Sequence, residues 1–501
     1  MQYLRYSPYC TSVMFAIMMP MAKFQLSDFF TYKYRYQIGY GLIVLLFVAL
    51  LAVAGLFVPG GLSKGEMATF VQTASLDREN PATLAIPNLP FALVQRASME
   101  LFGPSIFAFK LPALICAFIA GVGAVLLLRR WFRPNIAILA TVIMITTGQF
   151  LYVAQSGSAS ITYIMWSVWL LLAATMITSS PRHKRFWKVL FFAVMPLSLY
   201  TPLSIYLVLA IFSAGILHPH VRYVLKRMPR SHLITLTAMS LVIVAPLGYL
   251  LVIKPQLALQ LLGAPASWPP NLWANLKILV QQYLNFISPE SGVLMTPVLG
   301  LGSIALILIG VWQLFTIRYT ARSYTLTAWL LLLFPILLIN PVFTSVTFVP
   351  LLLLLASGLG YLLREWYGMF PRNPYARFVG IVPLTILVAG LVVTGTNRYF
   401  DGYRYDPETA SSFNHDVNLY NQHINAQNIP KLVVTRYELP FYIALVRYDH
   451  KTPPLILTTP PTGGVFAATK AAHSKVKDAQ ISRIITTDVS GDSDRFYIYN
   501  K

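Results

Sequence analysis

The sequence predicts an all-α, multi-pass membrane domain of about 11 transmembrane helices, followed by a small C-terminal α/β domain outside the membrane. Three observations predict it. Of 501 residues, 56% are hydrophobic and only 11% charged, with a mean hydropathy of +0.62; a soluble domain has no way to hide that much apolar surface. Runs of roughly 20 apolar residues, the length that crosses a bilayer, recur along the chain. Between those runs the Lys and Arg residues gather in short segments, and the clusters all fall on one side.

Residues 1–37 carry Arg5, Lys23, Lys33 and Arg35 and an apolar patch, VMFAIMMPMA, with no cleavage site after it. They read as a cytoplasmic or interfacial segment rather than a signal peptide. Apolar runs near 38–58, 109–128, 135–153, 158–178, 187–199, 202–217, 233–253, 294–316, 325–340, 344–363 and 378–396 read as spans. With the N-terminus inside, RRWFR, RHKRFWK, RYVLKRMPR, IRYTAR and REWYGMFPRNPYAR all fall on the inner side. That side then holds 20 of the 38 basic residues, while the outer loops hold Lys64, Arg78, Arg96, Lys254 and Lys277, with Lys110 at a span entrance. This is the charge asymmetry that orients membrane proteins. It predicts an N-terminus inside, a membrane domain over 38–396 with a first outer loop at 59–108, and an outer tail from residue 397.

The tail, 397–501, holds 10 of the 17 acids. PETASSFNHDVNLYNQHINAQN reads as a polar helix ending before Pro430, LPFYIALVRY as a helix, and KLVVT, PLILTT, SRIITT and RFYIYNK as strands. The GG at Gly463 lacks the downstream glycine and lysine of a phosphate loop.

Several function classes are disfavoured. The net charge of +21 sits in loops, not in a basic stripe interleaved with aromatics, so no nucleic-acid partner is expected. Cys10 and Cys116 make neither a disulfide framework nor a CxxC metal site, and the eight histidines show no ligand spacing. No structural metal and no cofactor are expected, with a divalent ion between an acid and a lipid phosphate the one open variant. A transporter would carry intramembrane charges and broken spans, and these spans carry almost no ionisable residues.

Between residues 50 and 400 stand only six acids: Glu66, Asp77, Glu79, Glu100, Glu290 and Glu365, and the first four share the first outer loop. Long loops on compact proteins usually carry function. Ser63-Lys64-Gly65-Glu66 has the S-x-x-E form of a helix capping box, a purely structural reading of Glu66. Further on, LPFALVQRASMELFG places Leu89, Leu93, Ala97 and Leu101 at helical spacing, as in a helix lying along the membrane surface.

The order of a span, an acid-bearing turn, that loop helix, LFGPSIFAFKLPALICAF and LLLRRWF resembles the polyprenol-phosphate-sugar-dependent glycosyltransferases. These are GT-C fold, family 39-like enzymes of the protein O-mannosyltransferase and aminoarabinose-transferase type. The match rests on Leu101, Phe102, Gly103, Ser105, Phe107, Ala108, Lys110, Leu111, Pro112 and Ala113. FLYVAQSGSASITYIMWSVWLLLA and INPVFTSVTFVPLLLLLASGLGYLL resemble later spans, so the similarity runs over about 36–396.

The resemblance implies a GT-C-like membrane domain that moves a sugar from a polyprenyl-phosphate donor to a protein, lipid or glycan acceptor, with inversion. In that family an Asp-Glu pair follows the first span and the Asp is the usual base. Here the pair reads Gly65-Glu66, which makes Glu66 the candidate base. Lys64 and Arg96 are candidate phosphate holders; Asn88, Tyr152, Gln155 and Tyr200 are the other substrate-binding candidates. Tyr152, Gln155 and Ser156 stand where relatives carry charged residues after the third span, and Thr344, Ser345 and Val346 where they carry a tyrosine or basic residue. The alternative is a catalytically inactive relative, a membrane scaffold or lipid-binding partner in cell-envelope assembly.

Overall fold

The structure is a computed structural model that describes residues 34–500 except 78, 180–183, 227–228, 266, 288–291, 293, 318, 370–373, 450–452, 477–479 and 487–494. Most of the expected N-terminal segment, with Cys10, and also Arg78 and Glu290, lie outside the described residues. The chain divides into Met1–Ala49 and Leu50–Lys501. The described part of the first unit is the beginning of helix α1 (Arg35–Leu56); everything below concerns the second.

Every predicted apolar run contains a helix. Among the described residues, seven helices are long and apolar enough to span a membrane. Five matter here: α4 (Ile106–Trp131), α7 (Ser160–Ser179), α12 (Ala321–Ile339), α13 (Phe348–Met369) and α14 (Pro374–Tyr405). An eighth candidate is a bent pair, α5 (Pro134–Thr146) and α6 (Gly148–Gln155), with 62° between them. The chain is a multi-pass membrane protein. The runs at 187–199, 202–217 and 294–316 form α8 (Lys184–Ser198), α9 (Ser204–Leu217) and α11 (Leu301–Thr316), of 15, 14 and 16 residues. These fall short of the roughly 20 residues a straight span needs. Helix α10 (Arg230–Ile253) completes the series.

The bend between α5 and α6 has a local cause. Thr147 leaves helical geometry for extended backbone, and its Oγ1 accepts the Phe150 N–H (3.3 Å), capping the next helix. Helix α14 packs close to this corner, where a Cβ on Gly395 would fall 2.5 Å from the Thr146 carbonyl.

The first loop contains strand β1 (Leu62–Ser63), helix α2 (Lys64–Ala74) and helix α3 (Leu89–Phe102). Helix α3 is amphipathic, as the sequence predicts. Leu93 and Leu101 are exposed, while Leu89, Phe91, Ala92, Gln95, Ser98 and Met99 are buried. The buried face carries Gln95 and Ser98 among its apolar residues.

In the tail, β2 (Phe413–Asn414) pairs antiparallel with β1, and five strands form a mixed sheet. These are β3 (Lys431–Val433), β4 (Leu455–Leu457), β5 (Val465–Thr469), β6 (Gln480–Thr486) and β7 (Arg495–Asn500), in the order β4-β3-β5-β7-β6. Strand β5 is not among the expected ones. The polar segment 407–425 is broken into short helical turns around β2 rather than one helix. Helix α15 (Leu439–Arg447) covers the sheet.

The tail and the first loop share one hydrophobic core: Leu62, Phe70, Met99 and Phe109 pack with Tyr420, Leu432, Phe441 and Tyr448. Phe70 sits at its centre, 5.3 Å from the Phe109 ring and 5.5 Å from Phe441. Arg447 donates to the Ala74 carbonyl (2.6 Å) and Asn421 Nδ2 to the Pro104 carbonyl (2.6 Å), which ties the outer edges.

Candidate functional site

Glu66 is held by the capping box that the sequence predicts. Its own N–H donates to Ser63 Oγ (3.3 Å), and the Ser63 N–H donates back to Glu66 Oε2 (2.8 Å). The other carboxylate oxygen accepts the Gly157 N–H at 2.6 Å, across from the loop after α6. Lys110 Nζ lies 3.8 Å from that same oxygen. Both side chains are essentially buried, at 0% and 1% exposure. Lys110 also donates to the Gly61 carbonyl (2.9 Å) and to Gln155 Oε1 (2.5 Å). The acid is therefore charge-paired and satisfied, as a buried carboxylate must be to remain there.

Two features of the surroundings enforce this geometry. A Cβ on Gly157 would fall 2.0 Å from the Phe109 ring, so only glycine brings this backbone N–H up to Glu66. Gln95, fully buried, accepts from Thr73 Oγ1 (3.1 Å) and donates to the carbonyls of Phe109 (3.0 Å) and Gly157 (2.8 Å). One side chain thereby joins α2, α3, α4 and the 157 loop.

Glu66 lines a cavity of about 470 Å³, with Lys64, Tyr152, Ser156, Ser158 and Ser412 among the other walls. Gly65 also lines it, and a Cβ there meets nothing within 4 Å. Ser158 opens in turn onto a cavity of about 230 Å³ that holds Asn88, Tyr163 and Thr201. Hydroxyls connect the two: Ser156 to Ser158 (2.8 Å) and Ser158 to Ser160 (3.1 Å). On the other side, Tyr152 is shared with a mainly apolar cleft of about 420 Å³ lined by Leu301, Leu387 and Leu391, with Arg398 and Gln149 in it. Tyr152 stacks on Tyr403 (ring centroids 5.5 Å, planes 8° apart).

The sequence candidates therefore separate. Glu66, Lys64 and Tyr152 meet at the main cavity, and Gln155 stands behind it as the partner of Lys110, with its Nε2 buried and unpartnered. Asn88 belongs to the smaller cavity, where its Oδ1 accepts from Thr162 Oγ1 (3.2 Å). Its N–H donates to the Tyr200 carbonyl (2.7 Å), while the Tyr200 hydroxyl donates to Ile243 (3.1 Å). Burial pushes the Tyr200 phenol up. Arg96 is committed elsewhere: its Nε contacts Glu100 (2.7 Å) and it donates to the Leu76 carbonyl. Among the described residues no group of three or more His, Cys, Asp or Glu converges as metal ligands would.

The sequence profile of the dolichyl-phosphate-mannose-protein mannosyltransferase family matches residues 88–249, about a third of the chain. No curated protein sequence matches the chain. Among solved structures, ArnT from Cupriavidus metallidurans bound to undecaprenyl phosphate is similar with a TM-score of 0.55 at 14% identity, over 93% of this chain and 98% of that one. The apo form of the same protein gives a TM-score of 0.52 at 13% identity with the same coverage. The chain has a GT-C fold.

On the GT-C fold, the residues that sequence reasoning missed are Lys110, Gln95 and Gly157. Lys110 stands inside an apolar phrase, FAFKLPALICAF, and a cation there predicts a buried partner. Gln95 is a lone amide on the inward face of α3. Gly157 carried no signal, because its importance arises from Phe109, 48 positions earlier.

Proposed function

We propose that this chain transfers a sugar from a polyprenyl-phosphate donor to an acceptor at the outer face of the cytoplasmic membrane, with Glu66 as general base. The observation that carries the reading is the placement of the Glu66 carboxylate in the wall of a hydroxyl-lined cavity that shares Tyr152 with an apolar cleft containing Arg398. A sugar phosphate on a long prenyl chain has the matching form: hydroxyls for the serines, a phosphate for a cation, and a tail for the leucines. That ArnT was solved with undecaprenyl phosphate supports the same substrate class.

In the proposed reaction the acceptor oxygen attacks the anomeric carbon as its proton passes to Glu66. The bond from that carbon to the phosphate oxygen breaks, and polyprenyl phosphate leaves. A single displacement inverts the anomeric centre. Proton removal by a positioned carboxylate is worth roughly 10²–10⁴-fold. Lys64, exposed at the cavity rim, is the cation placed to meet the phosphate there, and Arg398 the one placed along the lipid path. Lys110 keeps Glu66 in position rather than touching substrate, since two of its three N–H groups are already used inside the protein. Asn88 and the smaller cavity offer room for the acceptor. Arg96, tied to Glu100, is left out of the substrate contacts. The N-terminus is placed inside and the tail, 397–501, outside as a domain over the cavity.

A second reading has its own observation: both Glu66 oxygens already accept backbone N–H groups, and Gly65 supplies no further acid. On this reading the chain is an inactive relative whose Glu66 only holds the loop, and it serves as a scaffold or lipid-binding partner. Glu66→Gln in purified protein, assayed with a radiolabelled lipid-linked sugar and scored for both transfer and folding, separates the two. A loss of at least about 10²-fold with folding intact supports the base role; unchanged turnover removes Glu66 from the chemistry, and no turnover in the parent protein favours the scaffold.

A further inference from the structure

A further cavity plays no part in this site. It holds about 740 Å³ and opens where α4 turns into α5, between α11, α12, α13 and α14. Helix α4 measures its distance from Glu66: Lys110 stands beside the carboxylate, and Trp131 lines the remote cavity. Twenty-one residues of helix separate them, about 30 Å at 1.5 Å per residue, which is a bilayer's hydrocarbon thickness. The cavity thus lies at the opposite membrane face from Glu66.

Its rim is basic and its floor apolar. Arg133, Arg322 and Arg364 line the mouth, and among the described residues that line it there is no Asp or Glu. The neighbouring acid is Glu365, exposed and 3.9 Å from Arg364 Nε. Arg322 is fixed by a bond to the Trp131 carbonyl and by the rings of Trp131 and Phe132, 5.9 and 5.8 Å from its guanidinium carbon. The Gln313 amide lies 2.8 Å from Ser357 Oγ and 3.3 Å from Arg364 Nη2, which sets a polar shelf just below the arginines. Leu139, Leu326, Leu353 and Val388 add apolar wall from α5, α12, α13 and α14, with Asn135, Ser323 and Thr385 as further uncharged lining. Basic pockets between transmembrane helices accept anionic lipid headgroups, with each cation near the surface worth about fivefold in binding.

We infer that this cleft is a binding site for one anionic phospholipid of the membrane leaflet opposite Glu66. Its phosphodiester would lie between Arg322 and Arg364 and its acyl chains along α12, α13 and α14. The arginine forks suit the paired oxygens of a phosphate, and the apolar walls distinguish a lipid from a free anion.

The test is native mass spectrometry of the full-length protein, reconstituted in phosphatidylcholine nanodiscs with or without phosphatidylglycerol and then released by mild delipidation. The expected result is one retained phosphatidylglycerol per chain, no retained phosphatidylcholine, and no displacement by inorganic phosphate. Arg322→Gln with Arg364→Gln should cut retention about tenfold or more. Because Arg322 also braces Trp131, Ala389→Trp gives an independent reading: it fills the slot from the exposed side of α14 and leaves every charge in place. Retention at the parental level in either folded variant, equal retention of phosphatidylcholine, or displacement by phosphate alone overturns the inference.

Discussion

Replacing Lys110 by Met removes the buried cation while keeping a chain of similar length in an apolar setting. Its ammonium contacts the Gly61 carbonyl at 2.9 Å and Gln155 Oε1 at 2.5 Å, with the Glu66 carboxylate at 3.8 Å. Two unit charges at that separation attract by about 4 kcal/mol at the effective dielectric of about 20 that suits protein sites. Breaking a buried pair from one side costs about 3–5 kcal/mol, because the remaining charge stays desolvated. Glu66→Gln removes the other charge, yet turns an amide N–H₂ toward a backbone donor, which costs about 1–3 kcal/mol. If the ion pair organises the site, the double variant recovers much of the Lys110→Met loss, with a coupling of about 2 kcal/mol or more. Scanning fluorimetry in detergent on the parent, the two single variants and the double variant gives the cycle. Midpoint shifts that simply add refute the assignment of Lys110 as the partner that holds Glu66.

Other consequences can be checked separately. Gly65→Asp should fold like the parent, since its side chain projects into open cavity space, and should raise sugar transfer by supplying a second acid beside Glu66; a fall in the melting midpoint or unchanged turnover counts against that. Gly157→Ala should destabilise by about 1–3 kcal/mol and lower activity, because the methyl collides with the Phe109 ring and pushes the N–H off Glu66; a neutral melting curve contradicts the geometry. In the tail, burial and the Asp449 carboxylate, which accepts from the Tyr420 hydroxyl at 3.0 Å, push the Tyr420 phenol up. A phenol held protonated in the fold stabilises fully below its ordinary value of about 10, and that contribution is lost as pH rises beyond it. Melting midpoints of Tyr420→Phe should therefore fall less steeply than the parent's above about pH 10, and parallel curves refute the linkage.

The helices were legible because bilayer length and apolar composition leave few alternatives for a backbone without water. The capping box was legible because both partners lie within four residues. The site was only half legible, for a reason that Lys110 shows well. Its role depends on Gly61 and Glu66 from the first loop and Gln155 from the end of α6 converging on α4, and no local pattern encodes that convergence. Arg96 shows the converse: a loop cation suggests a ligand, and in the fold its i+4 acid, Glu100, engages it at 2.7 Å. On α3 Leu93 and Leu101 are exposed while Gln95 and Ser98 are buried beside Phe91, Ala92 and Met99, so the leucine spacing alone does not mark the inward face. The β1–β2 pairing was beyond reach, because two-residue strands carry no period to read.

That pairing also governs the order in which the protein is completed. Leu62 bonds across to Asn414, about 350 residues later, and the core around Phe70 is built half from each end of the chain. At a synthesis rate of about 5–20 residues per second, the first loop waits roughly 18–70 s for its other half to be made. Until then Phe70, Met99 and Phe109 have no cover from the tail, and Glu66 sits in a half-built wall. A chain that stops short of the tail would keep its membrane helices yet lack the roof of its own cavity. The wall around Glu66 is thus closed only after the tail strand that pairs with Leu62 has been made.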